Sequence, residues 1–273
     1  MQYDLILTLY AAKRLKPTVK TLRMLAAIQR PRQIVCVVTG REIAPDAARR
    51  LIAPCSDAVH IVEHDNTGRE FGAYQAGLDH LAGRDLDRLM ILNDTVGSHQ
   101  PVSRHYLEKL FDKLRPPLPC GLAVGTINYS ERALTLDGLT SSRWLRSNLM
   151  GFDEIALSKL GNRILAPKIE LLITDTHDIS RFFGAEIGPT MQEHLSQWLF
   201  SKTGSYYWYG AEPLSVENAG RMAGKARSIL QEKYLTFRLD ASDVAIRGMS
   251  MPVLMDALLN RISRLKSDLL PLS

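Results

Sequence analysis

Short apolar runs alternate with amphipathic stretches along the amino-terminal part of the chain. Residues 4–9 (DLILTL) and 33–39 (QIVCVVT) are near-continuous apolar runs of strand length, the pattern of strands covered on both faces. Between them Val19, Leu22, Leu25 and Ile28 recur at helical spacing within residues 17–29, and Pro31 stops that helix before the second run. Pro45 stands where a proline opens a helix without cost, so residues 46–52 read as a short helix. A strand over 59–63, a polar loop over 64–70, an amphipathic helix over 71–81 and a strand over 88–92 continue the alternation. A helix over 103–114 then stops before Pro116-Pro117. Four strands separated by helices predict a parallel, doubly wound sheet, so the expected fold class is α/β.

Past the prolines the rhythm changes. Residues 120–127 and 134–139 read as strands joined by a polar turn too short for a helix, hence an antiparallel or mixed edge. A long segment over 141–160 follows, helical over 153–160, and a further helix over 190–201 leads to Gly204 and the aromatic run Tyr206-Tyr207-Trp208-Tyr209. From Val216 the pattern reads as helical and basic, with Leu258, Ile262, Leu265 and Leu269 on one face. Three roles fit that stretch: docking on an anionic membrane surface, a homo-oligomer interface, or a packed helix with a solvated basic face.

Composition narrows the class. With 45% hydrophobic and 23% charged residues over 273 positions, the chain is an ordinary globular sequence, neither disordered nor fibrous. A net charge of +5 fits an anionic ligand, an acidic membrane surface or nucleic acid. The basic residues are scattered and no nucleic-acid module is visible, so no nucleic-acid partner is expected. Cys36, Cys55 and Cys120 lie far apart and form no C-x-x-C pair, as expected of reduced thiols in a cytoplasmic protein. No run reaches the ~18 apolar residues of a spanning helix, and the first basic residues follow rather than precede the short amino-terminal apolar run, the reverse of a secretory signal.

Two polar loops therefore stand at the carboxyl ends of two strands, residues 64–70 and Asn93-Asp94-Thr95, and ligands of open α/β sheets bind outside such ends. Each loop also has a plain structural explanation. Gly68 supplies a positive backbone angle, Glu70 suits the first turn of a helix, and Asn-Asp-Thr is good turn chemistry.

Together the two loops carry a resemblance. NTGREFGAYQAGL (66–78), followed by LMILNDTVGSHQP (89–101), resembles the GT-A glycosyltransferases, most closely the group around rhamnan synthesis protein F. That group pairs an N-x-G-x-[DE]-x-G-x-Y-x-x-G-L loop-helix with a strand ending in Asn-Asp-Ser or Asn-Asp-Thr. The matching residues here are Asn66, Gly68, Glu70, Gly72, Tyr74, Gly77 and Leu78, then Asn93, Asp94 and Thr95. SRWLRSNLMGFDEIALSKLG (142–161) and EHLSQWLFSKTG (193–204) resemble two further segments of the family in the same order.

The resemblance covers about residues 1–210 and implies a GT-A domain with a donor half over about 1–118 and an acceptor half over about 119–210. A helical extension over 211–273 would follow. It further implies an inverting glycosyltransferase that moves a sugar from a nucleoside-diphosphate-sugar to a glycan or lipid-linked glycan acceptor in bacterial-type surface polysaccharide synthesis. The location implied is cytoplasmic, peripheral to the inner face of the membrane. The alternative is a non-catalytic nucleotide-sugar or glycan-binding protein of the same fold.

In that frame Asp94 would be the sole firm protein ligand of a divalent metal, Mg2+ or Mn2+, with donor phosphates and water completing the shell. Asn66, Gly68, Arg69, Glu70, Tyr74 and Asn93 would serve the donor, Arg69 by forking onto the diphosphate. Thr8, Tyr10 and Thr39, at the ends of the first two strands, would line the base and ribose side. Glu193 would be the general base, with Asp153 and Glu186 next in line, while His177 and His194 read as surface histidines. Residues 206–209 would be either an acceptor-sugar platform or part of a core or interface.

Overall fold

The two most apolar runs become strands β1 (Asp4–Leu9) and β2 (Gln33–Thr39), buried at every position in the computed structural model, which describes residues 2–97, 102–174, 178–202, 208 and 210–249. α1 (Leu15–Ile28) joins them, and α2 (Pro45–Ile52), with Pro45 in its first turn, leads on to β3 (Val59–His64). α3 (Arg69–His80), β4 (Arg88–Asn93) and α4 (Arg104–Leu114) complete the alternation. Ser103 caps α4, its Oγ accepting the Tyr106 N–H at 3.1 Å. β5 (Leu122–Leu136), β6 (Leu139–Asp153), α5 (Glu154–Lys159) and α6 (Pro167–Glu170) follow. α7 (Pro189–Phe200), α8 (Ala219–Ala241) and β7 (Ala245–Gly248) end the described chain.

The expected α/β class is observed. Seven strands form one mixed sheet in the order β3-β2-β1-β4-β6-β5-β7. β1 pairs parallel with β2 and β4, β2 parallel with β3, and β5 parallel with β7, while β6 runs against both its neighbours. Helices cover both faces, which is why the central strands lack polar alternation. Leu5, Leu7, Ile34, Cys36 and Met90 face a core with α1, α2 and α4. Ile6, Val35, Val37, Leu89 and Ile91 face a second core with α3, α5 and α8. A third core lies under the far half of the β5–β6 hairpin, where α6, α7 and α8 bring Ile169, Leu195, Leu199, Leu230 and Phe237 together with Leu136 and Trp144.

Two expectations are corrected. The turn expected between residues 127 and 134 is absent: β5 runs through as a single 15-residue strand with a register irregularity between Tyr129 and Leu134. The chain reverses instead at Asp137-Gly138, both at positive φ (50° and 74°), as a two-residue primed hairpin turn requires. The segment after it is the partner strand β6, exposed or half-buried through Arg143 and buried from Ser147 onward. The helical reading of everything past Val216 is also corrected, because residues 245–248 form β7 at the sheet edge. α8 packs along β6 and enters two of the three cores. The amphipathic stretch carrying Leu258, Ile262, Leu265 and Leu269 lies outside the described residues. Among the described residues no helix is long and apolar enough to cross a membrane, and Cys36, Cys55 and Cys120 are free thiols.

Candidate functional site

Strand order reverses between β1 and β4, since β2 and β3 extend the sheet one way and β4 starts the other. Outside the carboxyl ends of these strands, where open α/β sheets bind ligands, lies a crevice of about 720 Å3. Its floor comes from the strand ends: Thr8 and Tyr10, Thr39, and Asn93 through Thr95. One wall is Asn66, Arg69 and Glu70 at the start of α3. Arg146 to Asn148 of β6, Lys225, Ser228, Glu232 and Lys233 of α8, and the rings of Trp144, His194, Trp198 and Trp208 line the rest.

The loop entering α3 is held by its own polar groups. His64 Nδ1 accepts the Asn66 N–H at 3.1 Å, and Asp65 Oδ1 accepts the Thr67 N–H at 2.9 Å. Asn66, Gly68 and Arg69 all take left-handed conformations, with φ of 69°, 69° and 53°. For Arg69 that costs about 1–2 kcal/mol. Its guanidinium lies against α8 at Gly224, where a Cβ would stand 1.7 Å from Nη2. A glycine there makes the notch that the arginine occupies.

Asp94 is nearly buried, its side chain 6% exposed. Oδ2 accepts the backbone N–H groups of Tyr10 (3.0 Å) and Ala11 (2.8 Å), and Oδ1 accepts Arg14 Nη1 at 3.2 Å. Both oxygens thus fasten the loop after β1 to the end of β4. Among the described residues no group of three or more His, Cys, Asp or Glu is arranged to hold a metal ion. A carboxylate already engaged by two amides and a guanidinium fits poorly as a resident metal's anchor.

Asn93 begins a hydrogen-bonded chain that crosses the site. Its Oδ1 accepts from Thr95 N–H (3.0 Å) and Oγ1 (2.6 Å), and its Nδ2 donates to the Tyr74 hydroxyl at 2.7 Å. That hydroxyl donates to the Ser147 carbonyl at 2.8 Å, and Ser147 in turn donates its N–H (2.8 Å) and Oγ–H (2.7 Å) to Glu232 Oε2. Tyr74 is therefore buried beneath the crevice rather than lining it. Burial, reinforced by the nearby Glu70 carboxylate, holds its phenol far above the ordinary value, so it stays protonated. Glu70 accepts from Ser228 Oγ at 3.1 Å.

Part of the lining is aromatic and cationic. Lys233 is 1% exposed, and its Nζ stands 3.0 Å from the Trp144 ring centroid. Burial pushes its ammonium down to about 7, against the opposing pull of Glu232. His194 meets the edge of Trp144 at 5.7 Å and is pushed down to about 4, by burial and then by Lys233. Trp198 and Trp208 stack at 6.3 Å with Lys225 Nζ 5.5 Å from the first ring and 6.0 Å from the second. Among the described residues, the basic side chains Arg14, Arg69, Arg146, Lys225 and Lys233 line the crevice with the carboxylates Glu70, Asp94 and Glu232.

Thr8, Tyr10, Thr39, Asn66, Arg69, Glu70, Asn93 and Asp94 are thus brought to one crevice, with Gly68 and Tyr74 directly behind it. Glu193 is not brought there: it is exposed on α7, its Oε2 accepting Arg132 Nη1 at 2.7 Å on the outer surface. Its neighbour His194 turns inward instead, with Trp198 one turn on, correcting the surface placement expected for that histidine. Asp153 sits at the opposite end of the sheet across from Arg88, capping α5 through the Ala156 N–H at 2.8 Å. Glu186 is exposed outside the crevice. His177, Tyr206, Tyr207 and Tyr209 lie outside the described residues. The sequence reasoning missed Arg14, Arg146, Ser147 and the α8 wall, although Lys225, Ser228 and Glu232 form a polar stripe at helical spacing.

No family model matches the chain, and no curated protein matches it. Among solved structures it is similar to 4-diphosphocytidyl-2C-methyl-D-erythritol synthase, at 13% identity over 82% of this chain and 97% of that chain, TM-score 0.38. It is also similar to mannose-1-phosphate geranyltransferase from Thermus thermophilus, at 14% identity over 60% of this chain and 61% of that one, TM-score 0.37. A third is S. aureus TarS 1-349, at 10% identity over 59% and 49%, TM-score 0.37. At these TM-scores the likeness adds nothing to the site, whose chemistry follows from its own geometry.

Proposed function

We propose that the protein is a glycosyltransferase that moves a sugar, with inversion, from a nucleoside-diphosphate-sugar to a glycan or lipid-linked glycan acceptor. The supporting observation is a crevice at the sheet's switch point whose lining is part polar and part aromatic. Strand-end hydroxyls and the 66–70 loop offer hydrogen bonds to a nucleotide, and Trp144, Trp198 and Trp208 offer flat apolar faces for a sugar ring. Glu70 and Glu232 line the same crevice.

In the reaction the acceptor hydroxyl oxygen bonds to the donor sugar's anomeric carbon, the bond from that carbon to the diphosphate breaks, and the electron pair leaves with the diphosphate. The hydroxyl proton passes to a carboxylate within hydrogen-bond reach. Glu232 is the crevice carboxylate we assign to this role, because Ser147 holds its Oε2 with two hydrogen bonds and so fixes the direction of the group. A surface-polysaccharide acceptor carried on lipid would bring the protein to the inner face of a membrane.

The test is a thermal-shift screen of UDP-, GDP- and dTDP-sugars, since a ligand at ~100 times its dissociation constant stabilises by about 2.7 kcal/mol. A donor that shifts the melting point should also be turned over in the presence of glycan acceptors. Binding without turnover would make the protein a nucleotide-sugar-binding protein, and no shift with any nucleotide-sugar would remove the proposal altogether.

A further inference from the structure

Resting on that proposed function, we infer that the charge of the departing diphosphate is met by the crevice's own cations, Arg69, Arg146 and Lys225, rather than by a divalent ion held at Asp94. Asp94 is spent on fastening the loop after β1, through two backbone N–H groups and Arg14. A metal drawn to either oxygen would compete, in a nearly buried place, with the donors that oxygen already holds: Arg14 at Oδ1, or the two backbone N–H groups at Oδ2. Arg14 would suffer most, because its Nε is already the buried side-chain nitrogen or oxygen without a hydrogen-bond partner among the described residues. Asp94 is by this account a positioning residue.

The three cations are in the opposite condition. Arg69, Arg146 and Lys225 have no hydrogen-bond acceptor and no ion pair among the described residues, yet all three line the crevice. Arg69 is held there at a cost, by a left-handed backbone and a glycine notch in α8. A planar guanidinium with its donors unspent matches two phosphate oxygens at once. Lys225 sits on the same helix beside that notch, and Arg146 lines the same crevice from β6.

The experiment measures the affinity of the full chain for UDP, GDP, CDP and dTDP, and for the matching monophosphates, by calorimetry in excess EDTA and in excess Mn2+. The diphosphate that binds should do so with a dissociation constant within about threefold in the two conditions. Arg69→Met and Lys225→Met should each weaken it by about 10- to 100-fold and shrink its advantage over the monophosphate. Melting points of both variants, with Lys225→Met as the substitution at an ordinary helical backbone, separate lost binding from lost folding. Binding that appears only with Mn2+ and vanishes in Asp94→Asn would overturn the inference and leave the proposed function standing. Affinity unchanged in both cation variants would overturn it as well. If no nucleoside diphosphate binds in either condition, the proposed function and the inference fall together.

Discussion

Replacing Gly224 by alanine separates the position of Arg69 from its charge. The added methyl carbon would lie 1.7 Å from Nη2, 2.5 Å from Cζ and 2.7 Å from Nε, so the guanidinium must leave its notch while the charge remains. Because the obstructing atoms are the far end of a flexible side chain, the fold has an inexpensive escape. Alanine is better than glycine inside a helix by about 1 kcal/mol, which for a chain of this size raises the melting point by roughly 2–4 °C. Losing one charge-assisted contact to a phosphate costs about 1.5–3 kcal/mol, or roughly a 10- to 150-fold weaker nucleoside diphosphate. Gly220→Ala is the control, since nothing lies within 4 Å of its added carbon on the same helix. Scanning fluorimetry and calorimetry on both variants should show melting points held or raised in each, with affinity lost only in Gly224→Ala. Equal affinities in the two would refute the role given to Arg69.

Lys233 ionises near 7 in the fold against 10.5 ordinarily, so between those values the unfolded chain holds a proton the folded chain lacks. Stability due to this residue therefore rises with pH across that window, and Lys233→Met should be more stable than wild type near pH 7, with the difference shrinking toward pH 10.5. Urea midpoints that run parallel in the two proteins would contradict the burial account. Tyr74→Phe leaves Asn93 Nδ2 and the Ser147 carbonyl without their shared partner, so it should cost about 1–3 kcal/mol in urea unfolding. A cost below a few tenths would mean that water replaces the hydroxyl. Glu193→Gln should keep turnover within a few-fold and lose at most ~1 kcal/mol, as for any exposed ion pair, and a hundredfold fall in turnover would contradict its placement outside the crevice.

β1 and β2 were legible because burial on both faces leaves an unbroken apolar run, and the start of α3 because residues 66 and 68 are types that accept left-handed backbone. The hairpin was misplaced although Asp137-Gly138 is a strong turn signal, because the irregularity in β5 put polar residues where a turn was sought. β7 is four residues long and half-buried throughout, too short to show a period. On α7, Met191, Leu195 and Leu199 fix the inward face, and that phase carries His194 and Trp198 to the crevice and Glu193 away from it. The resemblance that singled out Glu193 carries no information about that phase. The α8 wall was hidden for a different reason: a lysine, a serine and a glutamate on a helix look solvated until the strand opposite them is known.

The crevice draws its parts from nearly the whole described chain, from Thr8 on the first strand to Lys233 on the last helix. Chain order therefore becomes a timetable during synthesis. The parallel strands and the loops at their ends can assemble as soon as β4 has emerged, while the wall that carries Lys225 and Glu232 waits for α8 to dock across β6. Until then Arg69 has no notch to lie in and Ser147 no carboxylate to hold. A nascent chain stalled between α7 and α8 would thus own the nucleotide-facing loops yet gain little from a nucleotide. Affinity for such a ligand should report late docking, and in refolding it should appear after most of the sheet's backbone signal has been recovered.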